Sequence, residues 1–178
     1  MSALLEIGER TQRHAHHHPF WDVQRGPGGS FESYEPKHET HLHAVVEALL
    51  HDVSISKNLQ FSRELVPGGG NLDFLVTGVL AIGELAKVCV EFKKAHAQDV
   101  LTALTTQLPA YMASHNTDHG VYAVMWFKGA DFDQPARFDD QDDLTTDLNH
   151  ELLNHGLSLR IRPVILDVSR PSATPSTA

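Results

Sequence analysis

A single cysteine, Cys89, stands among the 178 residues, so no disulfide can form within the chain. No apolar run approaches the length of a bilayer span, and the opening MSALLEIGERTQR places charges too early for a secretory apolar region. These absences predict a protein of the reducing cytoplasm, with neither membrane span nor signal peptide. Positive charge is scarce as well: 14 Lys and Arg face 23 Asp and Glu, a formal net charge of −9 at pH 7. Such a deficit speaks against a nucleic acid held on a broad basic face. The deficit is uneven, however. Residues 1–56 hold 4 basic and 8 acidic groups, residues 129–178 hold 4 and 9, and residues 57–128 hold 6 of each. With a neutral middle, any polyanion would have to be held by a few placed cations, a bound metal or a partner subunit.

What is present fits one α/β domain with irregular ends. Residues 1–37 read as an irregular segment carrying His14, His16, His17 and His18, then Pro19, Pro27 and Gly28-Gly29. Residues 1–35 and 170–178 lack periodic apolar faces and are expected to add little to the core; 169–178 read as a disordered tail. Between them, Leu42, Val45, Val46, Leu49 and Leu50 form one stripe on a helix over roughly 37–51, with Glu39 near its edge. Three strand-like runs follow at 59–66, 71–79 and 85–94, the first two separated by the turn Pro67-Gly68-Gly69-Gly70-Asn71. A helix over 97–114, a wholly apolar strand VYAVMWF at 121–127, a helix over 141–155 and strand residues within 157–168 complete the order α-β-β-β-α-β-α-β. That order implies a mixed sheet flanked by helices.

Alternation along the strands puts Val88, Val90 and Phe92 on one face and Cys89, Glu91 and Lys93 on the other; likewise Asp73 and Leu75 oppose Leu72, Phe74 and Val76. Two carboxylates on neighbouring strands make a hard-oxygen site suited to Mg²⁺ or Mn²⁺. A lysine beside a water in such a site can orient the water or take its proton.

The segments GGGNLDFLV (68–76) and VEFKK (90–94) resemble the PD-(D/E)XK nuclease superfamily, with Asp73 as the first acid and Glu91 and Lys93 as the E-x-K pair. Leu72 stands where the superfamily often has proline. Gln107 and Tyr111 in QLPAY resemble the Q-x-x-x-Y element of the RecB-like branch, and Glu39 resembles the extra acid carried on the preceding helix. The resemblance covers residues 38–168. It implies a restriction-endonuclease-like core that hydrolyses phosphodiester bonds, with DNA as substrate. It also implies that Asp73, Glu91 and the Phe92 carbonyl bind metal, with Glu39 beside them. Lys93 positions the water, Gln107 helps hold the scissile strand or the metal shell, and Tyr111 supports it in positioning the substrate.

Two other readings stand beside this one. The missing basic patch favours a catalytically inactive member of the same fold, a binding or assembly module. The histidine cluster would suit a metal-binding or sensing protein. A homo-oligomer or a protein partner supplying basic surface follows from the charge deficit.

Overall fold

The computed structural model describes residues 18–66 and 70–170. From residue 39 onwards its elements run in the order read from the sequence: α1 (Glu39–Lys57), β3 (Leu59–Val66), β4 (Gly70–Val79), β5 (Leu85–Lys94), α2 (Val100–Ser114), β6 (Gly120–Trp126), α3 (Gln141–Asn154) and β7 (Ile161–Asp167). The chain begins differently from expectation. Residues 18–36, read as irregular, form β1 (Trp21–Arg25) and β2 (Phe31–Pro36), an antiparallel pair closed by a turn in which Gly28 and Gly29 take φ of 79° and 81°. Only a residue without a Cβ adopts that backbone freely, so the glycines read as part of an irregular segment are what close the hairpin.

The five longer strands form one sheet in the order β3-β4-β5-β6-β7. The first three are antiparallel, and β5, β6 and β7 run parallel, β6 reached through α2 and β7 through α3. Side chains alternate between two cores, one on each face. Leu75, Cys89, Tyr122, Val124 and Trp126 pack under α2 and α3. Phe74, Val90, Phe92, Ala123 and Met125 pack under α1, through Leu42, Val46 and Leu50. Phe20 and Trp21 lie fully in this second core, and the Trp21 indole N–H donates to the Val168 carbonyl at 2.9 Å. Residues 18–36 are thus part of the fold, which corrects, for the described residues, the expectation that residues 1–35 add little to the core. His14, His16, His17, the Pro67–Gly69 part of the turn and residues 171–178 lie outside the described residues.

The boundaries have local causes. Helix α1 runs two turns beyond the apolar stripe and stops at Asn58, whose φ of 51° lets its N–H reach the carbonyls of Ile55 and Ser54. Helix α3 starts where the Asp140 side chain accepts the Asp143 N–H at 2.9 Å, and Gly156 follows it with a φ of 67°. Helix α2 continues through Pro109. Strand β7 forms one edge of the sheet. Gly120 and Val168 donate across the β6–β7 seam to Arg160 and Trp126, so even-numbered residues of β7 turn their amides inward and Pro163 turns its ring nitrogen outward. Among the described residues, no helix is long and apolar enough to cross a membrane.

Candidate active site

The β4–β5 ladder runs from Val79 opposite Leu85 to Phe74 opposite Val90. One step further, the register would set Asp73 opposite Glu91, but there the two strands part. The Phe92 amide, left without a carbonyl from β4, donates instead to Asp73 Oδ2 at 2.7 Å. On its other side β5 stays paired with β6 through Glu91, Phe92, Lys93 and Lys94, so the strand is held firm where β4 leaves it. Cys89 and Ala95 point their amides at β6. The even residues between them therefore face the fork, and the Phe92 carbonyl opens on the same side as the amide that binds Asp73.

Asp73 and Glu91 are buried, at 6% and 2% exposure. The Glu91 carboxyl is pushed up to about 9, first by burial and then by the Asp73 charge; Lys93 opposes the shift and Glu39 adds to it. Glu91 Oε2 is enclosed and has no hydrogen-bond partner among the described residues. Two buried acids, one with an orphaned oxygen, fit a hard cation, and Asp73, Glu91 and the Phe92 carbonyl are the groups that would hold it. Among the described residues no three His, Cys, Asp or Glu side chains are gathered into a ligand set. Glu39, in the first turn of α1, acts on the site through its charge, which raises the pKa of both Glu91 and Lys93.

Lys93 is half-buried, with Nζ 3.2 Å from Asp99 Oδ2. Burial alone would lower its pKa, but Glu39, Asp99 and Glu91 outweigh burial and raise it. It is accordingly a cation, able to orient a water. Asp99, the residue before α2, makes no side-chain cap to that helix; its carboxylate is turned to Lys93 instead. Across the site, Gln107 Nε2 donates to the Tyr111 hydroxyl at 2.8 Å. Burial raises the Tyr111 pKa; the Gln107 hydrogen bond works against that, and the charges of Glu91 and Asp73 add to it. Asp73, Glu91 and Lys93 lie at the fork, and Tyr111, bonded to Gln107, is near enough to feel their charges.

Three residues escaped the reading of the sequence. Tyr122 lies beside Glu91 in the β5–β6 register, and its hydroxyl donates to the Val100 carbonyl at 2.7 Å. His43, 8% exposed, sits in α1 with Nε2 2.7 Å from Asp73 Oδ1, a close contact that lacks regular hydrogen-bond geometry. Arg63 of β3 reaches His43 Nδ1 at 2.9 Å. One signal for His43 was available: it follows Glu39 by four residues, one turn along the same helical face.

Residues 30–129 match the model of a family described as Domain of unknown function (DUF8371), more than half of the chain. No curated protein and no solved structure matches it.

Proposed function

The chain belongs to the DUF8371 family, and from its own residues we propose that it is a metal-dependent nuclease that hydrolyses phosphodiester bonds, with DNA as substrate. The observation that carries the proposal is the buried Asp73–Glu91 pair with an unpartnered Glu91 oxygen, two residues from a charged lysine. A buried like-charged pair is costly unless a cation or a proton neutralises it. The fold is read as restriction-endonuclease-like: an antiparallel meander, then a helical crossover to a parallel strand, with the acids where the meander opens.

In this reading Asp73, Glu91 and the Phe92 carbonyl hold Mg²⁺ or Mn²⁺. The ion, when bound, offsets charge developing on the phosphate and brings a water's pKa towards neutrality. Lys93 orients the attacking water. Gln107 positions the scissile strand, and the buried Tyr111 ring and hydroxyl keep the Gln107 amide in place. Lys93 is tied to Asp99 and Lys37 to Asp22, so neither is free to neutralise a phosphate backbone. A second copy of the chain or a basic partner supplies the remainder.

The test is calorimetry with Mn²⁺ alongside nicking of plasmid, linear, single-stranded DNA and RNA. Asp73→Ala and Glu91→Ala are expected to lose both ion binding and cleavage. Lys93→Ala removes a cation beside a dication, so it binds Mn²⁺ at least as well while cleavage falls by about 100-fold or more. Gln107→Ala loses less. Unchanged cleavage by Lys93→Ala would remove the lysine from its role. The Lys93–Asp99 pair also suits a second reading, an inactive binding or assembly module of the same fold. Mn²⁺ binding at Asp73 without cleavage of any substrate would favour it.

A further inference from the structure

A cavity of about 180 Å³ lies between the loops that leave the parallel neighbours β5 and β6, walled by residues of 95–100 and of 134–138. The carboxyl ends of parallel strands are where open α/β sheets place their ligands. Its volume is below the roughly 300 Å³ of pockets that take a whole small molecule, so it suits a single ring system. The first wall adjoins the candidate site, because the same loop carries Asp99, whose carboxylate holds Lys93. Val100, Pro135 and Phe138 make part of the wall apolar. Arg137 lays its guanidinium 5.1 Å from the centre of the Phe138 ring and pairs with Asp147 at 3.3 Å. Its charge is thus already met, while its side chain stays 59% exposed and can offer a flat face.

The remaining polar groups of the wall are neutral. Burial, and then the Lys94 charge, lower the His96 pKa to about 4, so the ring is uncharged at pH 7. Its Nδ1 is enclosed without a partner among the described residues, and the ring meets Phe127 and Phe132 in T-shaped contacts. Nε2 is the nitrogen left to serve a ligand. The exposed Gln98 side chain makes no hydrogen bond with the described residues, and its amide presents a donor beside an acceptor. Neutral donors and acceptors beside a flat cation fit a planar, uncharged ring with polar edges, and fit a phosphate poorly. A nucleobase is such a ring: glutamine amides read its edge, and guanidinium planes stack on its face. In a duplex those edges and faces are occupied, so a base that enters a crevice has left its pair. We propose that the crevice between residues 95–100 and 134–138 is a nucleobase subsite, and that the strand brought to Lys93 is single or locally opened; the proposal rests on the nuclease reading of the neighbouring acids.

Amide ¹H–¹⁵N spectra of the full chain without divalent ion test it, during titration with each 2′-deoxynucleoside, with 2-deoxyribose and with inorganic phosphate. At least one nucleoside is expected to shift the signals of 95–100 and 134–138 with a Kd of about 1 mM. Sugar and phosphate should leave those signals in place. Gln98→Ala, at an exposed position, should weaken that nucleoside about threefold to tenfold. In chelator at low salt, a short single strand should bind about tenfold more tightly than the same strand made abasic, and Gln98→Ala should narrow the gap. The proposal is overturned if phosphate alone moves the crevice signals, if no nucleoside moves them at about tenfold that Kd, or if the abasic strand binds equally well. Crevice shifts without Mn²⁺-dependent cleavage would keep the subsite and remove the nuclease reading; cleavage with a silent crevice would do the reverse.

Discussion

Glu91 is a neutral acid in the native protein at pH 7, because burial and the neighbouring Asp73 push its carboxyl from 4.5 to about 9. Between those two values the unfolded chain has released a proton that the native protein keeps. Raising the pH across this window therefore favours unfolding, and stability falls as pH climbs from 4.5 towards 9. Glu91→Gln keeps the shape and removes the titration. Its melting temperature should exceed the wild type's at pH 8, by about 2–4 °C for each kcal/mol recovered, with the gap closing towards pH 5. Scanning calorimetry across that range decides it, and parallel curves would mean that Glu91 is ionised in the fold. Saturating Mn²⁺ should reverse the order by stabilising the wild type alone. Asp73, Glu91, Lys93, Gln107 and Tyr111 were legible in the sequence because alternation along a strand and four-residue spacing on a helix are local rules. His43 and Arg63 were not: their contacts join α1 to β3 and β4, at separations of 20 and 30 residues that no local spacing encodes.

The helices and strands from α1 to β7 were legible because their apolar periods are long and uninterrupted. The β1–β2 hairpin was hidden by its own chemistry. Pro27, Gly28 and Gly29 break the run, and Asp22, Gln24, Glu32 and Glu35 fill both strands with polar groups. Its anchorage comes instead from one end, where Trp21 meets the Phe127 ring edge-on with centroids 5.2 Å apart and donates to Val168 from 147 residues away. Trp21→Ala should cost about 3–5 kcal/mol in denaturant unfolding. Trp21→Phe keeps an aromatic ring and forfeits the hydrogen bond, and should cost visibly less. A Trp21→Ala loss below about 1 kcal/mol would return the hairpin to the status of a loosely attached end.

Across the whole molecule the net charge of −9 adds repulsion between copies, but repulsion of that kind fades with salt while the pairing of exposed backbone does not. Any open sheet has two borders at which a foreign strand can add. On β7 that border carries Pro163 with its nitrogen facing out, where an added strand would find no hydrogen to accept. The inner seam to β6 gives up nothing for this, because that nitrogen was never part of it. Pro163→Val should therefore fold and unfold much as the wild type does, while in stored concentrated solutions at high salt it should scatter light and accumulate thioflavin-positive material sooner. If the two proteins age alike, the border is guarded by something other than the proline. If the variant clouds first, one ring on one edge sets how long this acidic protein lasts in solution.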